Sequence, residues 1–249
     1  MSTAGTPSLA EHLAATWADL SASHLPWLVL TILVYLAAMA VYRKSGNRPM
    51  LIPVFTGVVV VVGILLATGT PYSTYRSGVN FLTLLIGPAT VALAIPLYAQ
   101  RERIRQLWLP VGAALLVGCL VALLSAIGMA WAFGGTEATM IAVAPKSATI
   151  PIALPMAERF GGKPSLVAVA VAIAGISGTM MAPLLTRLLR LKDPAVQGFA
   201  LGLTAHAIGT ARALQINPAM GAFSALAMGL NGVATAVLMP LVLAVLPWF

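Results

Sequence analysis

The residues of this chain that could do chemistry are cations, hydroxyls and amides rather than acids. Lys146 stands in Ala144-Pro-Lys-Ser-Ala-Thr149, inside an apolar stretch long enough to enter a bilayer. A cation near the bilayer centre costs about 2.5–3.5 kcal/mol even on the lenient insertion scale, so it needs a reason to be there. Glu137 and Glu158 flank it, but along a helix at about 1.5 Å per residue each is more than about 13 Å away. Two readings are open. Lys146 snorkels or reaches Glu137 through a bent backbone, or it waits for an anionic substrate. Ser147 and Thr149 set hydroxyls beside it. Pro145, Pro151 and Pro155 interrupt the stretch, and the latter two leave carbonyls one turn earlier without amide donors.

A second constellation is Gly202-Leu-Thr-Ala-His-Ala-Ile-Gly-Thr-Ala-Arg212. His206 and Thr210 are four apart and share a face if the helix is regular. Gly209 permits a bend, and Arg212 follows. His206 could equally be a packing histidine, and Arg212 an anchor at a helix end. The sum of charges favours function: Lys146, Arg212 and His206 have no carboxylate of comparable depth, and interior cations without one imply an anion supplied from elsewhere. Asn231 interrupts the last apolar run, either as a ligand at a broken helix or as an interhelical hydrogen bond. With three His and six acids in all, and no nucleophile elbow, phosphate loop or metal-ligand spacing, the expectation is a protein that is not an enzyme and uses no metal or cofactor. Cys119, the single cysteine, reads as packing in an apolar run.

The elements that would position these groups are membrane helices. Hydrophobic residues make up 60% of the chain and charged ones 8%, against about 25% charged in a soluble domain. The net charge of +8 then serves to orient loops rather than to bind nucleic acid. Apolar runs fall at about 27–42, 50–68, 79–100, 107–132, 138–157, 165–186, 197–211 and 219–247. A spanning helix needs about 20 residues, so 27–42 and 197–211 read as short. The expected fold is an all-α polytopic membrane protein with about seven or eight membrane elements, some of them discontinuous or re-entrant, over 25–249. Residues 1–24 form a leader. Leu9, Leu13, Trp17 and Leu20 suit an amphipathic helix at the interface over 7–22, and a partly disordered leader is the alternative.

One phrase occurs twice. Ala89-Thr-Val-Ala-Leu-Ala-Ile-Pro96 matches Ala148-Thr-Ile-Pro-Ile-Ala-Leu-Pro155 at an offset of 59. This suggests an internal repeat of the kind common in secondary transporters. It pairs Thr90 with Thr149 as candidate ligands and adds Pro88 and Pro96 as candidate breaks. Pro96 and Pro155 should then lie at equivalent depth.

Charge orients the chain only in part. Arg43, Lys44 and Arg48 follow the first run, so the N-terminus is expected outside; Arg101, Arg103 and Arg105 again fall inside. If 138–157 spans, Arg159 and Lys163 lie inside and Arg187, Arg190 and Lys192 outside. If it is a re-entrant hairpin, the two groups exchange sides.

At these residues the chain resembles the LrgB/CidB family of bacterial membrane proteins. The likeness rests on Tyr72-Ser-Thr-Tyr75, Leu85–Tyr98, Pro145-Lys-Ser-Ala-Thr-Ile-Pro-Ile-Ala153, Thr204–Arg212 and Gly221-Ala-Phe-Ser-Ala-Leu-Ala227. It departs at Ile150, where the family often has a second Thr, and at Met220, where it often has an acid. The resemblance implies a secondary transporter of small monocarboxylates (glycolate, glycerate, lactate or pyruvate) across the bacterial inner membrane, as a homo-oligomer. The alternative it implies is an antiholin-like regulator of murein hydrolase export and lysis, acting with a small LrgA/CidA-like membrane partner. Interior cations fit the carrier better. Coupling would be facilitated exchange, or proton entry through His206, whose reference pKa is about 6.5. Were Na⁺ required instead, carbonyls at the proline breaks would be its ligands.

Overall fold

Apolar runs punctuated by proline and glycine fold into helices, with no strand among residues 25–246, which this computed structural model describes. The leader helix expected over 7–22 lies outside the described residues. Five helices are long and apolar enough to cross a membrane: Leu25–Lys44, Asn80–Ala99, Trp108–Ala132, Pro164–Leu188 and Pro218–Val245. The first is therefore not the short element that its apolar run suggested. Pro53–Thr68 is a shorter apolar helix. Large apolar side chains such as Leu33, Val59, Leu116, Ile173 and Leu241 are exposed along these helices. Such faces suit hydrocarbon rather than water.

The chain divides into two compact units, residues 1–92 and 93–249. In the first, α1 (Leu25–Lys44), α2 (Pro53–Thr68) and α3 (Tyr72–Gly78) pack around Trp27. A Cβ on Gly78 would stand 2.7 Å from Trp27 Cβ, so only glycine admits the indole there. Tyr75 meets Trp27 edge-on at 5.9 Å, and its hydroxyl lies 3.1 Å from Thr31 Oγ1. Then come α4 (Asn80–Leu84) and α5 (Ile86–Ala92), with α6 (Ala94–Ala99) opening the second unit. The interruptions at Leu85 and Leu93 stay close to helical dihedrals. Each falls three residues before a proline, Pro88 or Pro96, where the ring withholds an amide donor.

The second unit continues with α7 (Arg101–Gln106), α8 (Trp108–Ala132), α9 (Glu137–Val143), α10 (Ile150–Arg159), α11 (Pro164–Leu188), α12 (Pro194–Ile216) and α13 (Pro218–Val245). The pair α9–α10 doubles back on itself. A Cβ on Gly162 would touch Ile141 of α9 at 3.0 Å and Ala157 of α10 at 3.1 Å, so residues on either side of the 144–149 tip lie level.

Helix α12 also doubles back. His206 has φ 41° and ψ −130°, outside the helical region. Gly209 packs so closely on Leu201 that a Cβ would stand 2.7 Å from its carbonyl oxygen; a straight helix would hold those residues about 12 Å apart. The register along α13 gives the same answer. Gly198 and Gly202 abut the carbonyls of Met220 and Ser224, so the first arm runs parallel to α13. Thr210 meets Ser224, and Leu214 meets Gly221, so the second arm runs antiparallel to it.

One ion pair fixes the sidedness of the first hairpin. Arg103 Nη2 donates to both oxygens of Asp193 at 2.7 and 2.8 Å across 90 residues. Between them lie two long helices, α8 and α11, each about 37 Å at 1.5 Å per residue. Two full crossings return the chain to its starting side only if α9–α10 does not cross. Arg103 also lies 5.8 Å from the Phe223 ring centroid, near the start of α13. Helix α12 therefore begins and ends on that side as well.

Candidate functional site

The tips of the two hairpins meet at one side chain. Pro151 sits in the first turn of α10, where its missing N–H would be unused anyway. It therefore opens a helix rather than breaking one. The carbonyl it would have served, Ser147 O, takes a hydrogen bond from Asn231 Nδ2 at 2.9 Å. The same nitrogen donates to Leu203 O at 3.3 Å, where the His206 break disturbs the ladder. Asn231, 1% exposed on α13, thus ties both tips together. Its Oδ1 is buried with no hydrogen-bond partner.

Lys146 occupies the first tip, half-buried, and its ammonium has no ion pair or hydrogen bond among the described residues. Pairing with Glu137, one of the two structural readings of this lysine, does not occur. Ser147 is buried beside it. Thr149 precedes α10 as its N-cap residue, but its hydroxyl makes no capping bond. Three groups that can meet an anion therefore belong to residues 146–150: an ammonium, a free hydroxyl and the positive end of a ten-residue helix.

The second tip is built differently from the expectation. The turn falls at His206, not at Gly209, whose part is to admit the Leu201 carbonyl. His206 and Thr210 do not share a face. Nε2 of His206 donates to Val171 O on α11 at 3.0 Å, and Thr210 Oγ1 lies 3.0 Å from Ser224 Oγ on α13. The imidazole seats over Gly175, where a Cβ would come within 2.6 Å of Cε1. Arg212 is half-buried and already engaged. Pro155 is carried within α10 without a break.

Thr90 belongs to the first unit and not to the one that holds both tips. It is exposed on α5, in the other unit, and its hydroxyl donates to Ile86 O on its own helix at 2.7 Å. The two copies of the repeated phrase also adopt different local structures. The first is an almost continuous helix; in the second, Thr149 is extended before α10.

Sequence reasoning missed Ser224, Val171 and Gly175, the residues that hold the second tip. It also gave no packing role to Gly198 and Gly202, although a glycine pair four apart is a recognisable signal for close helix approach. Two cavities approach the tips from opposite ends of the unit. One of about 410 Å³ is lined by Leu107, Gly118, Ala195, Phe199, Leu203 and Phe223. The other, about 560 Å³, is lined by Ile152, Pro155, Arg159, Phe160, Ala236 and Pro240.

The sequence model of the LrgB-like family matches residues 31–245. YxaC of Bacillus subtilis is 37% identical over 215 residues, 86% of this chain and 93% of its own length. YwbG of the same organism is 34% identical, covering 87% and 96%. A Bacillus cereus protein named antiholin-like protein LrgB is 28% identical, covering 86% and 93%. No solved structure matches the chain.

Proposed function

The chain belongs to the LrgB-like family, and from that premise we propose that it is a secondary transporter of small monocarboxylates across the bacterial inner membrane. The observation that carries this reading is Lys146: a partnerless ammonium at a hairpin tip, beside the free Thr149 hydroxyl and the α10 N-terminus. A carboxylate would neutralise that cation and accept from that hydroxyl. Glycolate, glycerate, lactate and pyruvate share the carboxylate.

The hairpins support the same reading. The order hairpin then long helix occurs twice, in 137–188 and 194–245. Long helices α11 and α13 run in opposite senses, so the hairpins enter from opposite faces and act as an inverted repeat about the site. This pairing replaces the offset of 59. Irregular backbone at membrane depth is tolerated where protein or a cavity surrounds it. The face bearing Arg101, Arg103, Arg105, Arg187, Arg190 and Lys192 outweighs the one bearing Arg159 and Lys163, and is cytoplasmic by the positive-inside rule, with the N-terminus outside. The carrier works as a homo-oligomer.

Radiolabelled glycolate or pyruvate uptake into proteoliposomes tests this. Saturable uptake that other short carboxylates compete for supports it; no saturable uptake of any of them defeats it. The second reading is a regulator of lysis acting with a small LrgA/CidA-like partner, and it is favoured by the antiholin-like name of the Bacillus cereus relatives. Release of large dyes without carboxylate uptake would select that reading.

A further inference from the structure

The amide of Asn231 spends its nitrogen on both hairpin tips and leaves its oxygen unused. Nδ2 gives its two protons to Ser147 O and Leu203 O. That fixes the orientation of the group, because the flipped amide would face two carbonyls with an oxygen. Oδ1 therefore points away from them, in a residue 1% exposed, with no donor. A buried acceptor without a donor is uncommon and calls for a ligand or a cost. Further acceptors lie in the same tip. Pro145 has no N–H to return to Ile141 O, and while Val143, Pro145 and Thr149 O accept backbone N–H groups and Ser147 O accepts Asn231, the carbonyls of Ala144, Lys146 and Ala148 stand outside any ladder. Among the described residues no three His, Cys, Asp or Glu cluster, so the available ligands are neutral oxygens. Such a set suits a small, hard, singly charged ion rather than a transition metal.

We propose that Asn231 Oδ1 is a ligand of a monovalent cation site of the Na⁺ type, completed by backbone carbonyls of the first hairpin tip. The ion is small and enters dehydrated, since there is no room for a hydrated one beside a side chain this buried. It sits on the residue that joins the two tips, so its binding holds the hairpins in one arrangement. Its charge also offsets that of an anion held at Lys146. The site stands on Asn231 and the tip backbone, whether or not a carboxylate is the cargo.

Thermal unfolding of the purified protein in detergent, at constant ionic strength and with no carboxylate present, reads the site directly. Replacing choline chloride by NaCl should raise Tm with the logarithm of the Na⁺ concentration above Kd, by about 5 °C at a hundredfold excess. Asn231→Ala should lose this rise. Because that variant also loses both tip hydrogen bonds and can fail to fold, Asn231→Asp is the second arm. It too loses the donors, but it keeps the oxygen and adds charge. Its Tm in choline should fall, and the Na⁺ concentration above which Tm begins to rise should drop about tenfold. The absence of a Na⁺-specific rise in the native protein overturns the site, and so does an equal rise in Asn231→Ala or no Na⁺ dependence in Asn231→Asp. Uptake assays report separately on the carrier, so a protein that binds Na⁺ but moves no carboxylate leaves the site standing and removes the transport reading.

Discussion

At the scale of single residues, Lys146 and His206 differ in how they are held. Lys146 has no partner, and a buried charge of that kind lowers stability. Lys146→Ala should therefore abolish carboxylate uptake while leaving Tm in detergent unchanged or higher, measured on the same preparation. A variant that unfolds yet transports when rescued would make the lysine structural. His206 is tied to Val171 O and seated on Gly175. Its Nε2 carries the proton of that hydrogen bond, so the ring serves as a pin for the second tip. His206→Ala should cost about 1–3 kcal/mol through the buried carbonyl it strands, read by chemical or thermal unfolding.

At the scale of elements, the second hairpin depends on backbone contact with α13. Gly198 and Gly202 press against the Met220 and Ser224 carbonyls, closer than any Cβ could come. Gly202→Val should therefore separate the arms and prevent folding or lower Tm by many degrees, whereas Gly229→Ala, in open space on the same α13, should be neutral. Sidedness can be read by chemistry. In a background with Cys119 replaced, cysteines at Glu137 and Arg159 should react with an impermeant maleimide from one face, and a cysteine at Lys192 only from the other. Labelling of positions 137 and 159 from opposite faces would turn the first hairpin into a span.

At the scale of the whole molecule, the proposed carrier role raises the question of what drives a carboxylate inward. An anion moved against a negative-inside potential works against about 2.3 kcal/mol per charge per 100 mV. A cation bound at Asn231 compensates that charge without any change at His206, whose Nε2 stays bonded to Val171 O. Uptake should accordingly respond to a Na⁺ gradient and stay flat across external pH 5.5–7.5, measured in proteoliposomes with fixed internal buffer. A rise as external pH falls below about 6.5, flattened in His206→Gln, would restore proton coupling through that ring.

The sequence alone was enough for the helical class and the apolar runs, because hydropathy and proline chemistry act over a few residues and need no partner. Lys146, His206, Thr210 and Asn231 were legible for the same reason: polar groups in apolar runs are conspicuous. The family was legible in Pro145–Ala153 and Thr204–Arg212. What only the tertiary structure decided is which broken runs cross and which turn back. A span and a hairpin of equal length bury the same apolar residues and break at the same prolines, so local composition cannot separate them. The decision lies in contacts between distant segments: Arg103 with Asp193, Gly209 against Leu201, Gly202 against Ser224. Thr90 looked equivalent to Thr149 because a short repeat records local likeness, while burial and partners are set by the units into which each copy folds. Asn231 was visible as an interruption, but its place between Ser147 and Leu203 exists only once both hairpins have closed on α13.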